Sequence, residues 1–180
     1  HDSIPYLDRL DRQRRRFDLD VVAVGLDAGY ATAAIAKGLE GRDILGVTGY
    51  RRPNLRAGYI PKRKYVYDST LDGYRCPEGQ ILSYATTDRN GYRHYQSDPQ
   101  KCRTCPVLAS CTANAQHKKT VTRHVWQDAR DRADGYRLTE WGKRVYKRRK
   151  ETIERSFADA KQLHGHRYAR FRGLINVKCQ

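Results

Sequence analysis

The sequence predicts an α/β fold carrying an inserted, cysteine-containing subdomain of mostly β or irregular structure. Three observations predict it. Apolar runs over residues 1–50 alternate between helical and strand-like spacing, composition shifts to Gly, Pro, Tyr and Cys over 51–126, and helical periodicity returns from Leu138 to about Leu163. Alternating helices and strands imply strands in parallel, and in open sheets of that kind ligands gather beyond the strands' carboxyl ends.

Between Ser3 and Phe17 the apolar residues Ile4, Leu7 and Leu10 recur at spacing three. With Ser3 as N-cap and Pro5 in the first turn, they predict a short amphipathic helix with a basic exit, Arg12 to Arg16. The β-branched run Val21 to Leu26 reads as a strand buried on both faces, and it stops at Asp27-Ala28-Gly29-Tyr30. Asp27 therefore stands at a strand's C-terminal end. Residues 31–39 read as a helix closed by Gly41, and Asp43 to Val47 as the next strand. Within the insertion, Ile81 to Thr87 and Tyr92 to Ser97 flank Asp88-Arg89-Asn90-Gly91, and Asn-Gly between such runs predicts a hairpin. Leu138, Trp141, Val145, Ile153, Phe157 and Ala160 predict one long helix from Leu138 to about Leu163, interrupted in its spacing at Arg149.

The 180 residues hold 36 Lys+Arg against 20 Asp+Glu, a formal net charge of +16. That excess points to a polyanion as partner, nucleic acid first, because Lys and Arg neutralise phosphates and release condensed counterions. A mean hydropathy of −0.89 requires much of the chain to be solvated or bound. The 13 Tyr and 2 Trp argue against disorder throughout. No stretch approaches the roughly 20 apolar residues of a membrane span, and His1-Asp2-Ser3 is neither a basic nor an apolar signal region, so a cytoplasmic, membrane-free protein is expected. The lack of Met, the start at His1 and the stop at Gln180, after the strand-like Leu174-Ile175-Asn176-Val177, read as a fragment of a longer chain.

Two carboxylates stand out chemically. On a regular helix Lys147, Lys150, Glu154, Ala158 and Lys161 share one face, a lone carboxylate in a cationic row that suits a metal beside phosphates, or else a solvated face with i,i+4 ion pairs. Asp27 is either a turn or cap residue or a group projecting into the ligand crevice. Mg²⁺ or Mn²⁺ sites for phosphoryl transfer use such hard oxygen ligands, with two metals about 4 Å apart and usually three or more carboxylates. Cys76, Cys102-x2-Cys105 and Cys111 form a second constellation, with Cys179 remote. Thiolates at this spacing suit one tetrahedral Zn²⁺, while an iron–sulfur cluster, His117 as a ligand, or free buried thiols are the alternatives. Basic and aromatic residues interleave at Tyr50-Arg51-Arg52, Arg56, Tyr59, Lys62-Arg63-Lys64-Tyr65 and Tyr67, as bases stacking on a basic groove would require, or as tyrosines packed beneath a basic surface would give. His164 and His166 read as a polar cap or phosphate contacts.

Strand-Asp27-Ala28-Gly29-Tyr30, the run Ile153-Glu154-Arg155-Ser156-Phe157-Ala158-Asp159-Ala160-Lys161 and the trailing Arg167-Tyr168-Ala169-Arg170-Phe171-Arg172-Gly173 resemble the C-terminal half of bacterial insertion-sequence DDE transposases. The resemblance covers nearly the whole chain. It implies a partial ribonuclease-H-like fold, with residues 1–50 part of the catalytic core, 51–126 inserted, and 127–180 the catalytic helix and basic tail. It makes Asp27 and Glu154 the second and third catalytic carboxylates, holding Mg²⁺ or Mn²⁺. The Glu-x6-Lys signature maps onto Glu154 and Lys161, with Lys161 on DNA phosphate. Tyr146-x2-Arg149 matches the family's Tyr-x2-Arg pair but is separated from Glu154 by four residues rather than three, which leaves Lys150 as the alternative to Arg149; Lys147 joins this DNA-binding set. The first catalytic Asp lies upstream of such a segment, and Asp2 reads as a cap or turn residue, so the fragment alone is expected to fold poorly and to be inactive. The intact enzyme would cut transposon-end DNA and join it to target DNA as a homodimer or higher synaptic oligomer. The rival reading is a non-catalytic DNA-binding protein centred on the cysteine cluster.

Overall fold

In the computed structural model, which describes residues 3–165, 167–173 and 175–176 and not the side chain of Lys150, helix α1 spans Tyr6–Phe17. Its N-cap is Pro5 rather than the expected Ser3, and Pro5 brings no capping side chain. Strand β1 (Ala23–Leu26) runs parallel to β2 (Leu45–Thr48), and α2 (Ala33–Glu40) joins them. Thr32 caps α2 by accepting from the Ile35 N–H at 3.3 Å. Leu10, Leu26, Ile35, Leu39 and Ile44 form the core, with Tyr6, Leu7, Val21 and Val24 packed against it. Arg42, just beyond α2, donates from Nε and Nη2 to both oxygens of Asp11 at 2.8 and 2.5 Å, tying α1 down.

The strand expected to be buried on both faces is only half-buried, with Leu26 its sole buried residue and Val22 just before it 67% exposed. Among the described residues β1 pairs along one edge only, with β2.

The expected single helix from Leu138 is several elements. Helix α3 (Gln127–Leu138) precedes it, α4 covers Glu140–Arg149, a π-helical turn covers Lys150–Glu154, and α5 covers Arg155–Gln162. The break between α3 and α4 falls at Thr139, whose hydroxyl donates to the Tyr136 carbonyl at 2.7 Å and accepts from the Gly142 N–H at 3.0 Å. A side chain at Gly142 would run into that same carbonyl. Helix α3 packs through Ala129 and Ala133 against Ala36, small residues that leave a weak periodic signal. Ile175 and Asn176 are helical rather than extended; Asp2, His166, Leu174, Val177 and Cys179 lie outside the described residues.

The chain divides into two compact units, His1–Arg51 with Asp128–Gln180, and Arg52–Gln127. The second unit is an antiparallel meander whose sheet order equals its sequence order: β3 (Val66–Asp68), β4 (Gly73–Arg75), β5 (Ile81–Thr87), β6 (Tyr92–Gln96) and β7 (Thr120–His124). The Asn-Gly hairpin forms between β5 and β6, with Gly91 at φ +79° and Asp88 accepting from the Asn90 and Tyr92 N–H groups. Two short helices, Pro99–Arg103 and Leu108–Cys111, link β6 to β7. The core here is Tyr65, Tyr74, Leu82, Tyr95 and Val121. Among the described residues no helix is long and apolar enough to cross a membrane.

Candidate active site

Asp27 follows β1 in extended conformation, at the N-cap of a 3-10 turn over Ala28–Tyr30, yet its side chain makes no capping hydrogen bond. Two glycines shape what it faces. A Cβ at Gly25 would lie 3.4 Å from the Val145 carbonyl and 3.9 Å from Arg149 Cβ, so α4 lies directly on the strand there. A Cβ at Gly49 would lie 2.6 Å from the Tyr146 hydroxyl and 3.1 Å from the Ala28 nitrogen, so Tyr146 fits only over a bare backbone. Tyr146 and Arg149 are thereby held at the carboxyl ends of β1 and β2. Arg149 Nη2 stands 3.8 Å from Asp27 Oδ2, its Nη1 stands 3.6 Å from Glu154 Oε1, and Nη1 donates to the Tyr146 hydroxyl at 3.5 Å. The Arg149 side chain is 17% exposed, against 60% and 51% for the two carboxylates. A well-packed cation thus gathers two open anions.

The π turn makes this possible. An α-helix turns about 100° per residue, so residues five apart stand about 140° around the axis from each other. A π turn, closed by i→i+5 bonding, stacks them instead. Lys150–Glu154 is that turn, and it carries Glu154 back over Arg149. The extra residue before Glu154 is absorbed, and Arg149 reaches both carboxylates in its own right. The single stripe expected of Lys147, Lys150, Glu154, Ala158 and Lys161 is accordingly broken. Ala158 and Lys161 line a cavity of about 590 Å³ with Asp27, Arg149, Glu154, Phe157 and Arg167, whereas Lys147 is exposed and outside that lining. The side chain of Lys150 lies outside the described residues. Arg167 was legible only as part of the basic tail, because nothing in its spacing ties it to Glu154. His164 is exposed.

Two carboxylates and three cations, Arg149, Lys161 and Arg167, therefore face one open cavity. The set can hold phosphate and offers hard oxygen donors beside it. Among the described residues no group of three or more His, Cys, Asp or Glu stands at metal-ligating separation.

In the second unit Cys76, Cys102, Cys105 and Cys111 line one cavity of about 20 Å³ with Tyr65 and Lys119. All four are free, half-buried thiols. His117 sits in a left-handed turn at φ +58° and is not part of the lining. The interleaved tyrosines divide. Tyr65 is 4% exposed in the core and Tyr67 packs edge-on against Tyr95, the packed arrangement, whereas Arg56 lies over Tyr59 and Arg137 over the exposed Tyr50.

A family model described as transposase DDE domain matches residues 75–180, more than half of the chain, a stretch that holds the cysteines, Arg149, Glu154 and Lys161. No curated protein and no solved structure gives a significant match.

Proposed function

Since the chain belongs to the transposase DDE-domain family, we propose that it is the later part of a ribonuclease-H-like catalytic domain that cuts DNA at transposon ends and joins the freed 3′ end to target DNA. One observation carries this reading: a carboxylate from a strand end and a carboxylate from a helix far along the chain meet across one arginine. The donor set fits Mg²⁺ or Mn²⁺, which take one or two carboxylates and complete their shell with water and substrate phosphate oxygens. Asp27 and Glu154 would hold the ion. When bound, it supplies charge stabilisation at the phosphate and a nucleophile at neutral pH.

The chain's own residues do the rest. Arg149 keeps the two carboxylates together and supplies a cation close to the phosphate under attack. Lys161 and Arg167, which line the same cavity, hold phosphate oxygens, which orients the scissile bond for in-line displacement by water and then by the 3′-hydroxyl. Gly25 and Gly49 set the approach of α4, so the placement of Arg149 depends on two positions without side chains. The active form is a homodimer or higher oligomer that holds two transposon ends.

Nicking of supercoiled transposon-end DNA with Mn²⁺ tests this. For the chain of residues 1–180 background nicking is expected, since its described residues gather two carboxylates where the chemistry usually takes three; robust nicking lost in Asp27→Ala would refute that. In a longer version that supplies the family's first Asp, Glu154→Ala is expected to abolish nicking and keep DNA affinity. Unchanged nicking in that variant would leave the chain a DNA-binding module.

A further inference from the structure

The cysteine cavity belongs to the second unit, and polar groups lie beside its sulfurs. The Gln80 N–H donates to Cys76 Sγ at 3.3 Å, and the Tyr65 hydroxyl stands 3.1 Å from Cys111 Sγ. Cys102 Sγ lies 3.2 Å from the buried Ser97 hydroxyl, whose oxygen already accepts from the Lys119 N–H at 3.0 Å. Ser97 therefore keeps its own proton to donate if Cys102 ionises. Three of the four sulfurs thus have one donor each at hand, from a backbone amide, a phenol and a hydroxyl. Lys119 also lines the cavity, with its Nζ bonded to the Cys111 carbonyl at 2.7 Å, and Lys101 lines it too. These cations offset the net negative charge of four thiolates around a divalent ion. The space, about 20 Å³, is that of roughly one small sphere, since a single water needs about 10–15 Å³ by the same measure.

We propose that Cys76, Cys102, Cys105 and Cys111 bind one structural Zn²⁺, with the Tyr65 hydroxyl, Gln80 N–H and Ser97 hydroxyl as outer-shell donors to the thiolates. In this structure the four thiols line one cavity without standing at metal-ligating separation, so binding draws the sulfurs in to about 2.3 Å from the ion and releases their protons. The Cys102–Ser97 hydrogen bond then reverses direction. The ion clamps the β4–β5 turn to the two short helices, a part of the unit built from few apolar residues. This site is independent of the transposition reading, and its test involves no DNA.

The test is elemental analysis of the full chain after zinc-replete expression, with Co²⁺ exchanged into the same protein. About one zinc per chain is expected, together with the intense visible bands of tetrahedral Co²⁺ and strong sulfur-to-cobalt absorption in the near ultraviolet. Less than about half an equivalent of zinc, a cobalt spectrum without tetrahedral bands, or a red-brown iron–sulfur chromophore would each overturn the proposal. Cys111→Ser should lose the metal; if that variant does not fold, the cobalt spectrum of the unaltered chain decides. Tyr65→Phe should keep the stoichiometry and weaken zinc about 10–100-fold in chelator competition, and unchanged affinity there would remove Tyr65 from the outer shell.

Discussion

Asp72 shows how one carboxylate can organise a core that sequence spacing does not reveal. It sits at φ +41° between β3 and β4 and accepts hydrogen bonds of 2.7 Å from the Tyr67 and Tyr95 hydroxyls, with Arg93 at 3.7 Å. Tyr95 is fully buried, so Asp72→Ala leaves its hydroxyl without that acceptor and should cost about 1–3 kcal/mol in urea unfolding. The two tyrosine hydroxyls hold the Asp72 carboxyl below the usual carboxylate range. A depressed value in the folded state means the contribution is complete above the unfolded value of about 4 and is lost as pH falls through the folded one. Stability should therefore fall more steeply below about pH 4 in the parent chain than in Asp72→Asn; parallel slopes would rule this out. Nothing local marked Asp72, because Tyr95 arrives from 23 residues away. Asp27 and Glu154 were easier to single out, one by standing where a strand ends and the other by being the lone acid of one cationic helix face. Arg149 was marked by the Tyr-x2-Arg likeness as a DNA contact but not as their shared partner, because a helix read at constant pitch puts it on another face.

Elements were legible where their signal is local. The Asn-Gly turn fixes the β5–β6 hairpin, and two short apolar runs separated by a capped helix fix the parallel pair. Helix α3 escaped because it packs through alanines, and the break at Thr139 escaped because apolar residues on either side keep nearly the right spacing. The interruption noticed at Arg149 is the start of the π turn. Hydroxyl residues in and just after it bond back along the helix, Thr152 to the Arg148 carbonyl and Ser156 of α5 to the Thr152 carbonyl, which favours local unwinding. Deleting Glu151 should let a regular α turn form with Arg149 and Glu154 still on one face. The expected Tm is unchanged or higher, within the roughly 2–4 °C that 1 kcal/mol shifts a chain of this size. A clear drop in Tm on circular dichroism melting would mean the π turn is required for packing rather than accommodated by it.

The whole molecule carries +16, and at this scale composition alone spoke plainly. It could not say which cations share a cavity with carboxylates, since that depends on contacts between distant parts of the chain. If six to ten phosphates are contacted, affinity for duplex DNA should fall about 10³–10⁵-fold between 50 and 200 mM salt. Fluorescence anisotropy with a labelled duplex would measure it, and a fall of less than about tenfold would rule out a binding mode dominated by phosphates. The division into units bears on when the site comes into being. The meander is one continuous stretch, Arg52–Gln127, whereas the unit that holds the carboxylates is made of His1–Arg51 and Asp128–Gln180. Asp27 leaves the ribosome long before Arg149 and Glu154. At about 5–20 residues per second, translation of the intervening chain takes on the order of ten seconds, ample time for neighbouring antiparallel strands to pair. The nascent protein therefore carries a finished insertion while its carboxylates are still apart, and it cannot gather them around Arg149 until the helical segment that carries Glu154 has been made.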